Sequence, residues 1–170
     1  MASVFTEHDI RTLLNQDPPL LSGLIDPAVQ VQPNGVDLSL KAVYQFKGAG
    51  TLDFSNTARQ LPETTELQFD AKGWLPLAPG CYLVQFNEVV NLPQDVMALA
   101  RPRSSMLRVG ATVESAVWDA GYCGQSQSLL VVYNPQGLHL QQNARILQLV
   151  FFRLGTKTNG YQGIYQGENL

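Results

Sequence analysis

Along most of this chain apolar and polar residues alternate with a period of two, in short runs separated by turn residues. Such alternation puts every second side chain on one face of a strand. The longest run, VDLSLKAVYQF from Val36, follows an Asn34-Gly35 turn. Val36, Leu38 and Leu40 alternate there with Asp37, Ser39 and Lys41, which predicts a strand with one buried and one solvated face. Further strands are predicted at Glu66–Asp70, Cys81–Asn87, Val96–Ala100, Ala111–Val117, Leu129–Tyr133, Leu138–Leu140 and Ile146–Leu154. The turn signals APG, NLPQD, AGYCG and NPQG separate them. Helical spacing occurs near the N-terminus, where Thr6 can cap a helix running to about Asn15 with Ile10, Leu13 and Leu14 on one face. Pro18 and Pro19 end it. The stretch LSGLIDPAVQVQPNG reads as a linker, and Gly48 to Pro62 as an excursion or long hairpin. Many short strands with one short N-terminal helix predict a mainly β domain, either a β-barrel or a jelly-roll-like sandwich.

A length of 170 residues suits a single domain, 1–170, in which 1–32 form the helix and linker and 155–170 a tail rich in Gly, Tyr and Gln. That tail has little to bury and reads either as a disordered end or as a mobile segment that closes over a ligand. Charged residues are only 15% of the chain, a balance that fits an all-β domain or an obligate oligomer. No apolar run approaches the roughly 20 residues that span a bilayer, and MASVFTEHDI lacks the basic start and apolar stretch of a secretion signal. A cytoplasmic protein with no membrane partner is expected. Cys81 and Cys123 lie outside any CxxC or HxE pattern, which argues against structural zinc and against zinc-dependent deamination. Both are expected to be free, buried thiols. His8 and His139 have no sequence neighbour suited to nucleophilic catalysis.

Charge distribution sharpens the picture. Residues 101–153 hold five arginines and two acids, while the remainder holds six basic and twelve acidic residues. A basic segment on an acidic body fits a small anionic ligand better than a nucleic-acid polymer. Within it, Arg103, Ser104, Ser105 and Arg108 crowd six positions. If SSMLR is a helical turn, two guanidinium forks, two hydroxyls and free amides could converge on phosphate oxygens. A solvated surface turn is the equally weighted reading. Asp119 ends an apolar run before Ala120-Gly121-Tyr122 and can hold a water or simply form the turn. Asp37 has the same two readings, Tyr122 can be core or stack on a sugar, and Gln148 can be structural or contact a ligand.

Taken in order, PNGVDLSL (33–40), RSSMLR (103–108), AVWDAGY (116–122), ARILQLVF (144–151) and YQGIYQGE (161–168) resemble the dUTP diphosphatase and dCTP deaminase superfamily. The resemblance covers most of the chain from Asn34 onward. It implies a distorted jelly-roll subunit and a homotrimer with active sites at subunit boundaries. The deaminase branch carries a proton-shuttling glutamate just before an aromatic-Asn pair, here Tyr133-Asn134. The matching position is Val131, and Leu129 and Leu130 are equally apolar, so no register restores an acid.

The sequence is most similar to archaeal-type dUTP diphosphatases, which implies hydrolysis of dUTP to dUMP and diphosphate. Asp119 would activate the water, and Arg103, Ser104, Ser105 and Arg108 would grip the phosphates. Magnesium would be held mainly by the phosphates and not directly by protein. Tyr122 would lie against the deoxyribose. The uracil would meet backbone amides and carbonyls in Gly110–Val117, with Val117 among the substrate-binding residues. Asp37 and Gln148 would support the site, and Tyr161, Tyr165 and Gln166 of the tail would cover it. The alternatives are a dCTP deaminase using Glu114, and a nucleotide-binding homologue without catalysis.

Overall fold

In the computed structural model residues 3–170 are described. Among the described residues fourteen strands and three short helices make a mainly β domain. The strands are β1 (Ser3–Val4), β2 (Leu21–Ser22), β3 (Val31–Gln32), β4 (Gly35–Lys47) and β5 (Glu63–Leu67). They continue with β6 (Trp74–Leu77), β7 (Gly80–Phe86), β8 (Val89–Asn91), β9 (Val96–Pro102) and β10 (Ala111–Glu114). The last are β11 (Cys123–Gly124), β12 (Gln127–Val132), β13 (Leu138–Gln141) and β14 (Arg145–Arg153). The helices are α1 (Glu7–Leu14), α2 (Pro27–Gln30) and α3 (Ser104–Arg108).

α1 starts where expected. The Thr6 side chain accepts from the Asp9 amide while Asp9 Oδ2 accepts from the Thr6 amide at 2.8 Å, a reciprocal capping box. Its buried Ile10 docks it on the sheet. The expectation of one helix is corrected by α2 and α3, single turns too short for helical periodicity to register. Asp26 caps α2, its carboxylate accepting from the Ala28 amide at 2.9 Å with Pro27 at the first helical position. The segment read as a linker therefore holds β2, α2 and β3.

The largest sheet has nine strands, in the order β1-β14-β4-β7-β12-β10, with β3 and β5 also on β4 and β9 also on β14. β4 organises it. Its first half pairs with β14 and its second with β7 and β5, and the pairing with β7 slips between Leu40 and Ala42. Such a bulge bends a strand and lets it pass from one layer to another. A second irregularity in β14, between Arg145 and Leu147, lets the consecutive Ile146 and Leu147 both enter the core. With Leu149 and Phe151 they are at most 1% exposed, and each such side chain contributes about 1.5–3 kcal/mol. The Gly48–Pro62 stretch is the long loop of the β4–β5 hairpin, cross-tied by Thr51 and Gln60. Cys123 is partly buried as a free thiol, but Cys81 is exposed on β7, contrary to expectation.

The polar face of β4 is not solvated as its alternation predicts. Asp37 and Ser39 are as buried as their apolar neighbours, because α2 and the β7–β8 turn cover them. Glu88, fully buried in that turn, accepts from the Ser39 amide (2.9 Å), Ser39 Oγ (2.6 Å) and Gln30 Nε2 (2.6 Å). Gln30 Nε2 also donates to the Asp37 carbonyl at 2.9 Å. Burial pushes the Glu88 carboxyl above its ordinary value of 4.5, and its hydrogen bonds only partly oppose this. The folded protein thus holds that proton more tightly than the unfolded chain, and this group's contribution to stability declines as pH rises above 4.5 through the raised value. Glu88→Gln has no proton to lose. The gap in Tm between wild type and variant should narrow as pH rises from about 4 to about 8, whereas a pH-independent gap would remove this account.

Candidate active site

A cavity of about 670 Å³ opens where the segment after β10, the start of β12, the β4–β5 hairpin and the C-terminal tail meet. That volume suits a small organic ligand. One wall is apolar, made by Phe46, Leu61, Pro62 and Leu83. A second wall carries Val117, Trp118, Asp119 and Tyr122, and the tail contributes Tyr161, Tyr165 and Glu168.

Trp118 fixes this wall. Its backbone exchanges both hydrogen bonds with Ala98 of β9, at 2.9 and 3.0 Å, and its buried side chain anchors the segment in the core. The next residue, Asp119, is left exposed, and its backbone carbonyl accepts from the Tyr122 amide at 3.1 Å to close the turn. Among the described residues its carboxylate has no hydrogen-bond or ion-pair partner. The turn is therefore held by the backbone, which leaves the side chain free to engage a water or a ligand.

Tyr122 is only 5% exposed, and its hydroxyl donates to Glu168 Oε1 at 2.7 Å. Its ring meets Tyr161 edge-on, with centroids 5.8 Å apart. Burial, and then the Glu168 contact, push the phenol far above its ordinary value of 10, while burial raises Glu168 as well. Both groups keep their protons more readily than they would in water, and the pair locks the tail to the wall.

The tail follows a defined path along its own chain. Its backbone bonds Gln94, Ala120, Cys123 and Gln125 at 2.8–2.9 Å. Gln166 accepts from the Cys123 amide (3.0 Å) and donates to the Gly121 carbonyl (3.1 Å). A Cβ on Gly121 would meet Gly160 Cα at 2.7 Å, and its φ of +84° also favours glycine. This close approach explains why the turn after Asp119 needs a residue with no side chain.

The arginine cluster lies elsewhere. Arg103 precedes α3, and Met106 buries the inner side of that turn while Ser104, Ser105 and Arg108 stay exposed. Arg103 Nε pairs with Asp37 Oδ2 at 2.9 Å, and its NH1 group donates to the Arg145 carbonyl at 3.2 Å. Arg145 pairs with the same Asp37 oxygen at 3.1 Å and donates to the Val29 carbonyl at 2.7 Å. Burial pushes the Asp37 carboxyl up while the two guanidiniums pull it down. Asp37 is buried while both guanidiniums stay part-exposed, and the shared carboxylate ties β4 to the entry of α3 and to β14, so Arg103 and Asp37 serve the fold whatever else they do. Gln148 is half-buried and in register with Asp37 on one side and Arg101 on the other.

The predicted residues thus form two groups. Val117, Asp119, Tyr122, Tyr161 and Tyr165 line one cavity, and Gln166 braces the tail beside it. Arg103, Ser104, Ser105, Arg108, Asp37 and Gln148 lie outside it. Phe46, Leu61, Pro62, Thr64, Ser126, Gln127 and Glu168 were not anticipated. Glu168 stands within YQGIYQGE, so its motif was visible, but nothing in the sequence marked the hairpin residues. Val131 sits near the end of β12 opposite Thr112 and Cys81, in a strand that offers no proton carrier at 129–131. Glu114 lies at the end of β10, accepts from Thr112 Oγ1 at 3.0 Å, and borders a different cavity with Arg101 and Ser115.

Residues 4–154 match the family described as dCTP deaminase-like. The chain belongs to that family. Relatives within it include a probable deoxyuridine 5'-triphosphate nucleotidohydrolase of Methanosarcina mazei, 49% identical over 98% of both chains. A protein of the same name from Archaeoglobus fulgidus is 47% identical over 99% of this chain and 98% of its own. The deoxyuridine 5'-triphosphate nucleotidohydrolase of Methanocaldococcus jannaschii is 39% identical over 81% of this chain and 88% of its own. The 2'-deoxycytidine 5'-triphosphate deaminase of Agrobacterium tumefaciens superimposes with a TM-score of 0.66 at 24% identity, covering 89% of this chain and 48% of that one, which shows a shared fold. Among the described residues no helix is long and apolar enough to cross a membrane.

Proposed function

We propose that this member of the family hydrolyses dUTP to dUMP and diphosphate. The observation that carries the reading is the Asp119 carboxylate, exposed and unpartnered on the wall of a nucleoside-sized cavity, next to a strand with no proton carrier at Leu129, Leu130 or Val131. One base suffices for phosphate hydrolysis, whereas deamination needs a group to move protons onto the ring and the leaving amine. The names of the archaeal relatives, 47–49% identical over nearly the whole chain, support the same choice.

In the proposed reaction Asp119 accepts a proton from a water whose oxygen attacks the α-phosphorus. The bond from that phosphorus to the oxygen bridging the β-phosphate breaks, and diphosphate leaves with the electron pair. Val117 and Tyr122 border the nucleoside, and the tail excludes bulk water. Phosphate oxygens are the fitting donors for magnesium, which would offset their charge. Ser104, Ser105 and Arg108, exposed on α3, are suited to bind the phosphates, with Arg103 oriented by Asp37. Because they do not border the Asp119 cavity of their own chain, the reading includes a homotrimer of jelly-roll subunits in which α3 of one copy completes the cavity of another.

The test is incubation of the protein and magnesium with each common nucleoside triphosphate, followed by product separation. Formation of dUMP and diphosphate from dUTP is expected. Ammonia released from dCTP would instead favour the deaminase alternative with Glu114, and tight dUTP binding without product would favour a non-catalytic homologue.

A further inference from the structure

The turn that carries Asp119 is gripped from two sides. On one side is the loop between β8 and β9. The Gly121 amide donates to the Pro93 carbonyl there at 3.3 Å, and the Leu92 amide donates to the Tyr122 carbonyl at 2.8 Å. On the other side is the tail, which takes the turn one residue after another. The Tyr161 amide donates to the Ala120 carbonyl at 2.8 Å, and Gln166 Nε2 donates to the Gly121 carbonyl at 3.1 Å. Glu168 Oε1 accepts from the Tyr122 hydroxyl at 2.7 Å. Each of the three residues after Asp119 is thus tied to the tail.

Of these ties only the last joins two side chains, and its surroundings leave room for it. A Cβ on Gly124 would lie 2.6 Å from the Tyr122 hydroxyl and 3.1 Å from Glu168 Cγ, so any larger residue there would push phenol and carboxyl apart. The backbone of Glu168 is pinned as well. Its carbonyl accepts from the Gln125 amide at 2.9 Å, and the next residue, Asn169, donates from Nδ2 to the Gln125 carbonyl at 2.8 Å. Tyr122 is buried, and its own amide closes the turn on the Asp119 carbonyl at 3.1 Å. The Asp119 carboxylate has no partner among the described residues, so the direction in which it projects follows from the turn.

We propose that Glu168 is a positioning residue for Asp119: by fixing Tyr122 it fixes the turn from which the carboxylate projects, so that the tail aims this group as well as covering the cavity. A hydrogen bond held at one end by a packed ring and at the other by a pinned backbone has little freedom to relax. Support of that kind keeps a reacting group within a fraction of an ångström of its working place. The inference rests on the dUTP reading above and gives a role to a residue that its motif contained but did not single out.

Glu168→Ala, Tyr122→Phe, the two combined and Glu168→Gln test it, with kcat for dUTP read beside the affinity for a non-hydrolysable dUTP analogue. Glu168→Ala should lower kcat about tenfold, short of the roughly 100-fold that an ångström of misplacement costs, because the ties from Tyr161 and Gln166 remain. Affinity for the analogue should change little. Tyr122→Phe should show a similar fall, and the combined variant no further one, the mark of two residues acting through one contact. Glu168→Gln keeps an acceptor for the phenol and should recover most of the rate. Unchanged kcat in Glu168→Ala overturns the inference, as do additive losses in the combined variant or a glutamine variant as slow as the alanine one. Weaker binding at constant kcat overturns it too, since the contact would then serve the cover alone. Wild-type protein that leaves dUTP intact would sink the dUTP reading itself; wild-type turnover with an unaffected Glu168→Ala sinks only the role of Glu168.

Discussion

Asp119→Asn is expected to bind dUTP as tightly as the wild type and to turn it over roughly 10²–10⁴-fold more slowly, the usual contribution of a positioned base. The amide has nearly the same size and shape as the carboxylate but cannot accept the proton of the attacking water. No fold penalty should obscure the result. The side chain is exposed and without a partner, and the turn around it is closed by the backbone bond from the Tyr122 amide to the Asp119 carbonyl. Equal Tm, equal dUTP affinity and near-abolished diphosphate release are the expected triad. Full turnover would remove Asp119 from the chemistry and leave its position on the cavity wall as that of a turn-former.

Truncation after Gly155 should have the second largest effect. It deletes Tyr161, Tyr165 and Glu168 from the cavity lining and strips the hydroxyl of Tyr122 of its partner. Closing segments act by excluding water and fixing the reacting groups, and misplacement on the scale of an ångström can cost about 100-fold. A fall of that order or more in kcat/KM for dUTP is expected, with a much smaller change in Tm. The residues removed are largely exposed, apart from the part-buried Gly160, Tyr161 and Glu168. A truncated chain that hydrolyses dUTP at the full rate would make the tail a passive strap. Equal losses of stability and activity would show that it serves the fold alone.

Local signals were readable. The Thr6–Asp9 box started a helix where expected, and the apolar run from Ile146 marked β14 to within one residue at each end. Motifs shared with a known superfamily pointed to Asp119, Val117, Tyr122, Tyr161 and Tyr165, which the fold gathers around one cavity. What the sequence hid depends on distant partners. Asp37 and Ser39 alternate with apolar residues as solvated positions do, yet Gln30, Glu88, Arg103 and Arg145 bury them. β6 was missed because Pro76 interrupts it and it pairs only with β13. Phe46, Leu61 and Thr64 reach the cavity because the β4–β5 hairpin leans over it, which no local pattern records.

β4 has a consequence for how the molecule is made. Its first half is paired with residues from Arg145 to Leu149 and its second half with Tyr82 to Phe86 and with Glu63 to Leu67. A nascent chain on the ribosome can close the second half with β5 soon after it emerges, but it displays the first half long before β14 appears. Pairings so remote in sequence form slowly, and until they do a bare strand edge invites aggregation. Native assembly must therefore wait until β14 has been synthesised, and N-terminal fragments ending before it should not fold.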